Sequence, residues 1–159
     1  MFGSRLLPAA CLPGSFGATT ETERCDLCPA GKFTASSGNT ACTDCTPGYL
    51  CVEGASAPVP CRSGTHANQS VLYPDGGDVI GGFLSSRDQC IVCPRGTGCP
   101  VGTSSPLLCR PGSFADQPET QACALCPEGR YQELYGQTAC NECPGGSFCK
   151  EGSATPVPW

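Results

Sequence analysis

The sequence predicts a small disulfide-rich repeat array, an irregular and elongated rod of eight single-disulfide modules with short β-hairpins and almost no helix. Sixteen of the 159 residues are cysteines, a proportion typical of chains that cross-links stabilise in place of a large core. The eight cysteines that open the modules are each followed three residues later by a glycine. Glycine or proline also interrupts most of the chain, so no helical hydrophobic period is sustained.

The eight modules share an opening pattern of cysteine, glycine and then an aromatic residue. They begin at Cys11, Cys28, Cys45, Cys61, Cys93, Cys109, Cys126 and Cys143. The ring two residues beyond the glycine is Phe16, Phe33, Phe114, Tyr131 or Phe148 in five of them. We expect brief strand pairs around these rings, each running into a polar turn, and one ring as the core of its own module.

Two module lengths alternate along the chain. In the long type 13 residues separate the two cysteines, and in the short type five residues separate them. The order makes residues 109–159 a repeat of residues 11–60, with a period of 98 residues, and residues 93–108 a further short module. Residues 1–10 look like the tail of a preceding module, so the chain is expected to be a segment of a longer array or a protomer that abuts neighbours.

The fourth module, residues 61–92, carries an insertion over residues 66–89. Insertions in repeat arrays map to one face, where they either bind a partner or form a passive loop. This insertion is rich in apolar side chains that we expect to be exposed: Val71, Leu72, Tyr73, Val79, Ile80, Phe83 and Leu84. We predict an assembly contact through Tyr73, Ile80 and Phe83, together with Trp159, which occupies the place of the next opening cysteine.

The cysteine spacing favours pairing within each module, because this pairing uses all sixteen cysteines. The predicted bridges are Cys11–Cys25, Cys28–Cys42, Cys45–Cys51, Cys61–Cys90, Cys93–Cys99, Cys109–Cys123, Cys126–Cys140 and Cys143–Cys149. A four-cysteine zinc site is the alternative for the two Cys-x2-Cys-x13-Cys-x2-Cys runs. That alternative leaves eight cysteines at irregular spacing, with only His66 to help.

The sequence offers no catalytic, metal or cofactor site, so we predict that the protein is not an enzyme. A general base or a metal triad needs groups that one histidine and bridged cysteines do not supply. Asp75 and Asp78 form the one candidate calcium pair, although two acids around two glycines are more typical of a solvated turn.

Disulfides predict an oxidising compartment and therefore a secreted or cell-surface protein. Asn68 lies in an Asn-Gln-Ser glycosylation triplet, so glycans are a possible partner class. The net charge is −5, and the sequence has no basic stripe that would bind nucleic acid. No apolar run is long enough to span a membrane, and the apolar stretch before Cys11 is too short for an export signal.

The run from Cys28 to Cys42, followed by Thr-Asp-Cys-Thr-Pro-Gly-Tyr, resembles the ephrin-receptor-like cysteine-rich repeat. It is also similar to the smallest module of tumour necrosis factor receptor ectodomains, and the long and short alternation resembles that of mastigoneme (flagellar hair) proteins and other giant protist surface proteins. These resemblances imply an extracellular structural segment that self-associates into a filament or coat. The alternative that they imply is a ligand-binding ectodomain whose partner is another extracellular protein.

Overall fold

Residues 10–18, 24–72, 74, 76 and 82–159 are described in the structure, a computed structural model. Sixteen short strands account for most of the regular structure of these residues. The strands are β1 Ser15–Phe16, β2 Asp26–Leu27, β3 Lys32–Phe33, β4 Thr43–Asp44, β5 Tyr49–Leu50, β6 Val59–Pro60, β7 Thr65–Ala67, β8 Cys90–Val92, β9 Thr97–Gly98, β10 Leu107–Leu108, β11 Ser113–Phe114, β12 Ala124–Leu125, β13 Arg130–Tyr131, β14 Asn141–Glu142, β15 Ser147–Phe148 and β16 Val157–Pro158. Within the described ranges, helix is limited to α1, Gln69–Leu72, and a 3₁₀ turn at Arg87–Gln89.

Each module contributes one two-stranded antiparallel sheet, formed by consecutive strands from β1–β2 to β15–β16. In module 1, for example, Ser15 lies opposite Leu27 and Phe16 opposite Asp26. Strands this short are not stable alone, so other contacts must hold the modules. The fold class predicted from the sequence is confirmed, since the described residues form short hairpins with eight disulfides.

The disulfides join the same eight cysteine pairs that the spacing predicts. None of the sixteen cysteines is left free, so none remains to form the alternative zinc sites. Seven of the eight opening cysteines are at most 2% exposed, and Cys143 is half-buried. Together with small residues, the buried cysteines form most of the interior. A loop of about 15 residues closed by a disulfide gains about 3 kcal/mol in the chain-entropy model, which compensates for the small core.

The glycine of the opening pattern allows a tight turn. In module 1 the amide of Ser15 donates to the carbonyl of Leu12 at 3.0 Å, which closes a four-residue turn with Gly14 in its third position. Gly14 has a φ of 85°, and type II turns require such a positive φ at this position. The equivalent glycines of the other modules also have positive φ, so we call this residue the first-turn glycine. They are Gly14, Gly31, Gly48, Gly64, Gly96, Gly112, Gly129 and Gly146.

A second turn follows in the same module, and it too has a residue with positive φ. This second-turn residue is glycine in five modules: Gly38, Gly54, Gly102, Gly136 and Gly152. In module 6 it is Glu119, the non-glycine residue with positive φ among the described residues, at 63°. The amide of each second-turn residue donates to the carbonyl of the opening cysteine of the preceding module. The amide of Gly136, for example, donates to the carbonyl of Cys109 at 2.8 Å.

Neighbouring modules are therefore joined by main-chain hydrogen bonds in both directions. The amide of Gly112 donates to the carbonyl of Gln132 in the next module at 2.7 Å, while Gly136 donates back to Cys109. Modules two apart also touch, because a Cβ at Gly112 would lie 2.2 Å from the carbonyl oxygen of Gly152. The first-turn glycine is thus also a point of close backbone approach, which a side chain would block.

The chain divides into two compact units. One contains Met1–Val59 and Gln69–Gln89, and the other contains Pro60–Asn68 and Cys90–Trp159. Modules 1–3 therefore share a unit with most of the insertion, whereas the Cys61–Cys90 bridge of the module that carries it belongs to the other unit. The insertion proper begins after Ala67, because β7 pairs with β8 through residues Thr65–Ala67.

The aromatic rings differ from the sequence expectation of one enclosed core per module. Phe16, Phe33, Phe114 and Tyr131 are half-buried, and Phe148 is exposed. Phe33 packs against the cluster of Cys45, Cys51 and Ala55, which belongs to the next module. Phe33 therefore bridges two modules, because a unit of about 17 residues has no interior large enough to enclose its ring.

Candidate interaction surface

The two sides of the insertion meet at its base. Helix α1 ends at Leu72, whose carbonyl accepts the amide hydrogen of Gly82 at 3.1 Å. The approach is close, since a Cβ at Gly82 would lie 1.8 Å from the carbonyl oxygen of Val71. The base of the insertion is therefore closed between residues 72 and 82.

Beyond this base the chain re-enters the module stack at Phe83 and Leu84. The carbonyl of Leu84 accepts the amide hydrogen of Cys51 at 3.0 Å, and Leu84 bridges Leu50. The amide of Cys99 makes the equivalent bond to Thr120 in module 6, at 2.9 Å. Leu84 therefore accepts a hydrogen bond from module 3 in the same way that Thr120, in an uninterrupted long module, accepts one from module 5.

Phe83 takes the place of a second-turn residue. Its Cβ lies 3.1 Å from the position that a Cβ on Gly31 would occupy. Its half-buried side chain packs against the cluster of Cys45, Cys51 and Ala55. The insertion thus covers the first-turn glycine of module 2.

The expected exposure of the apolar side chains of the insertion is wrong where the structure describes them. Leu72 is 1% exposed, Leu84 is fully buried and Phe83 is half-buried. Leu84 is buried because its main chain bonds beside Leu50 and Cys51, within the module stack. Tyr73, Ile80, Val79, Asp75 and Asp78 lie outside the described residues, so their predicted roles stay predictions.

Trp159 lies in the register of an opening cysteine, as the sequence predicts. Its amide donates to the carbonyl of Gly146 at 3.1 Å, just as the amide of Cys143 donates to Gly129 at 2.9 Å. The indole is 88% exposed, and its centroid lies 5.4 Å from the ring of Phe148 at a tilt of 46°. The pair presents a large aromatic surface to solvent, which is typical of interface anchors.

Gly129 and Gly146 differ from the other first-turn glycines. These two are exposed, and a Cβ at either would meet no atom within 4 Å, whereas the first-turn glycines of modules 1–6 are buried. Together with Phe148 they define a surface that we call the open stacking face. It contains main-chain groups that elsewhere lie against another module.

An apolar groove of about 390 Å³ in modules 5 and 6 was not predicted from the sequence. Leu107, Leu108 and Leu125 line it, and each is more than half exposed. Leucine directly before an opening cysteine was the available signal, and it recurs at Leu27. These leucines also have an internal contact, because Leu125 Cδ2 lies 3.5 Å from the place of a Cβ on Gly152.

Asn68 lies between β7 and α1 and is half-buried, while Ser70 of the same triplet is exposed. The structure places the triplet at the start of the insertion. Glycosylation of Asn68 stays a prediction.

The charged groups of the described residues lie mainly at the surface. Lys32 pairs with Asp44 and Arg130 with Glu142 across hairpins, the latter at 3.5 Å, and Arg62 pairs with Glu119 two modules away. A hydrogen bond from the Ser86 hydroxyl, followed by a backbone hydrogen bond, lowers the pKa of Asp88. No cluster of three or more metal-ligating side chains occurs in the part of the chain that the structure describes.

His66 fills the ring position of module 4 and is 6% exposed. Its Nδ1 lies 2.8 Å from the carbonyl oxygen of Ala67, so the imidazole is held against the main chain. This arrangement is that of a packed structural side chain.

One protein family matches part of the chain. Residues 112–157, which include most of modules 6–8, match the family described as tyrosine-protein kinase ephrin type A/B receptor-like. This family is a receptor-like cysteine-rich module and not an enzyme family, and the match agrees with the ephrin-receptor-like repeat expected from the sequence. No curated protein matches the chain. No helix in the described ranges has the length and apolar character needed to cross a membrane.

Proposed function

We propose that the protein is an extracellular structural array that self-associates into a surface filament or coat. The observation that carries the proposal is a double set of main-chain contacts, in which a first-turn glycine bonds to the next module and lies against the one after it. Four first-turn glycines make both contacts: Gly14, Gly64, Gly96 and Gly112. Contacts of this kind extend from module to module without a central core, as in other repeat proteins.

The extracellular location is supported by the disulfides and by the match to a receptor-like module. Eight bridges persist only where the compartment is oxidising. They also suit a protein that must stay folded outside the cell with little hydrophobic core. The resemblance to mastigoneme proteins suggests a filament as the form of the assembly.

Trp159 and the insertion are the proposed contact elements. The ring of Trp159 is 88% exposed and paired with Phe148, so its burial against a second copy would be favourable. Phe83 is half-buried in its own chain, so it contributes at most its outer edge. Tyr73 and Ile80 remain predicted contributors.

A ligand-binding ectodomain is the second candidate function. The ephrin-receptor-like match and the apolar groove of Leu107, Leu108 and Leu125 favour it. In this case the array would present the groove to another extracellular protein and would itself remain a monomer. Catalysis is the least supported class, because the sequence has a single histidine and all sixteen cysteines are bridged.

Self-association distinguishes the two candidates. Purified native protein should be followed by sedimentation velocity over a wide concentration range and imaged by electron microscopy. Concentration-dependent species that appear as filaments or sheets support the structural function. A monomer at every concentration would favour the ectodomain.

The folded state of the sample needs its own control. Thiol titration in denaturant without reductant should find no free cysteine, and mass mapping should recover the eight bridges. Enzymatic removal of N-linked glycans tests Asn68, because the peptide that contains it is expected to change in mass. Sedimentation is then compared before and after the removal.

A further inference from the structure

The second turn of module 7, residues 133–136, presents two large apolar side chains to solvent, and we call it the module 7 turn. Leu134 is 58% exposed and Tyr135 is 62% exposed. The buried side chain of Gln132 holds this turn, because its Oε1 accepts the amide hydrogen of Leu134 at 3.0 Å and its Nε2 donates to the carbonyl of Ala139 at 2.8 Å. A turn fixed in this way loses little further entropy when it binds a partner.

Module 6 has the same second turn with two further modules after it. Gln117 and Pro118, the counterparts of Leu134 and Tyr135, are exposed there although modules 7 and 8 follow. The side chains at these two places of a second turn therefore face away from the contacts between modules.

The apolar groove of modules 5 and 6 lies beside the module 7 turn. Leu108, which lines the groove, has its Cδ2 3.1 Å from the place of a Cβ on Gly136, the last residue of the turn. Leu107 and Leu125 of the same groove are 58% and 57% exposed, although modules 7 and 8 are present. Groove and turn together form one exposed apolar surface, which is typical of a site that contacts another protein.

The corresponding places of the first repeat have neither the leucines of the groove nor the apolar residues of the turn. The counterparts of Leu107, Leu108, Leu134 and Tyr135 in residues 11–60 and just before them are Ala9, Ala10, Ser36 and Ser37. The two halves of the surface are therefore present together in one repeat and are replaced together by small residues in the other. This joint occurrence indicates that groove and turn serve one contact.

Two exposed charges of opposite sign accompany the apolar residues. Arg110 lines the groove, and Glu133 begins the module 7 turn. Neither side chain makes an ion pair with another described residue. An apolar turn with a carboxylate and an apolar groove with a guanidinium are complementary to each other. A surface that contains both is complementary to a second copy of itself, as a two-fold contact requires.

We propose that this surface pairs two copies of the chain, with the module 7 turn of each copy in the groove of the other. Tyr135 then packs as an aromatic anchor against the leucines of the second copy, and Glu133 faces the partner's Arg110. Because both copies use the same surface, the contact is isologous and is complete with two copies. The proposal rests on the proposed self-association and specifies one lateral contact within it, to which filament growth is additional.

Tyr135→Ser and Leu107→Asn each remove one half of the contact. Both changes suit the fold, since Ser37 and Asn141 occupy the same places in modules 2 and 7. We expect each variant to weaken self-association by at least about tenfold, as the loss of a buried anchor does. Sedimentation velocity over a concentration series measures the change.

Leu12→Thr is the matched control for these substitutions. Leu12 is 72% exposed and belongs to the other compact unit, and Thr46 occupies the same place in module 3. Self-association of this variant should stay within about twofold of the native protein. Each variant is accepted only if its eight bridges map as in the native protein.

Arg110→Glu and Glu133→Arg test the two-fold pairing. Either variant alone sets like charges against each other at both ends of the contact, so each should associate at least about tenfold more weakly than the native protein. A mixture of the two variants restores opposite charges at both ends. Its association should return to within about threefold of the native value.

Arg95→Glu and Glu128→Arg are the charge controls. Both residues are exposed and lie outside the groove and the module 7 turn, and their substitution changes the net charge by the same amounts. Each of these variants should associate within about twofold of the native protein, which separates a local charge contact from an effect of net charge.

A photoreactive phenylalanine analogue at position 135, mixed with an isotopically heavy copy, identifies the occupant of the groove. The expected light-to-heavy product joins position 135 to the peptide that contains Leu107 and Leu108. If the native protein self-associates but the reversal variants associate equally well, or their mixture does not recover, this proposal is overturned and the structural function stands. A native protein that stays a monomer at every concentration overturns both and leaves the groove to another extracellular protein.

Discussion

The carbonyl oxygen of Glu119 lies 2.3 Å from the position that a Cβ on Gly64 would occupy, although the two residues belong to different modules. Glu119 is also the non-glycine residue with positive φ in the described chain. The same contact therefore accounts for two features: Gly64 has no room for a side chain, and Glu119 adopts a backbone conformation that glycine normally occupies.

Gly64→Ala should destabilise the second unit by more than the conformational cost of an alanine at positive φ, which is about 1–2 kcal/mol. The added methyl would collide with main chain, so modules 4 and 6 must separate. Gly129→Ala is the matched control, because its φ of 81° is similar and the space above it is open. Chemical denaturation of both variants measures the difference, and equal losses would contradict the close backbone contact.

Glu119→Gly should leave the protein as stable as before or raise the free energy of unfolding by up to about 2 kcal/mol. The glycine removes the positive-φ cost of about 1–2 kcal/mol. Against this, the exposed ion pair with Arg62 is worth at most about 1 kcal/mol. Arg62→Ala removes the ion pair alone and should lower stability slightly, by an amount that falls with added salt. A large loss on Glu119→Gly would mean that the ion pair has been underestimated.

Leu84→Ala should lower stability by about 2–5 kcal/mol, because a fully buried leucine leaves a cavity. The loss should appear as weaker amide protection at Cys51, whose hydrogen bond Leu84 accepts. Leu134→Ala serves as the control, since Leu134 is 58% exposed. Hydrogen exchange together with thermal unfolding makes the comparison. Unchanged protection at Cys51 would argue against re-entry of the insertion into the stack.

Replacing residues 74–81 by a short glycine linker should preserve the fold while it removes most of the residues between the two sides of the base. The linker can be short because Leu72 and Gly82 are already hydrogen-bonded. Leu72 and Leu84 are kept, since their loss would unfold the base. If Ile80 contributes to lateral assembly, filaments of this variant should no longer bundle. Native bundling after the replacement would exclude residues 74–81 from the contact, and a Tyr73→Ser variant then tests the remaining predicted contributor.

The sequence was sufficient for the module plan because cysteine and glycine spacing follows directly from local geometry. A first-turn glycine and an intramodule bridge each involve residues close in sequence, so both can be read from the order of residues. The resemblance to an ephrin-receptor-like repeat has the same origin, as it rests on those spacings.

Contacts between modules were beyond this kind of inference. Nothing in the residues around Gly64 or Glu119 signals that their backbones touch, because the contact uses atoms that all residues share. The burial of Leu72 and Leu84 was missed for a related reason. Whether an apolar segment is exposed depends on the site to which the chain returns, and that site lies in modules 2 and 3.

The stacking contacts between modules are made largely by amides, carbonyls and glycine Cα atoms. A newly duplicated module therefore arrives already able to dock, without any change in the side chains of its neighbours. Residues 109–159 repeat the module pattern of residues 11–60, as growth by duplication would produce. An architecture of this kind can change length, or vary its outward side chains for different surroundings, while the joints between its parts stay the same.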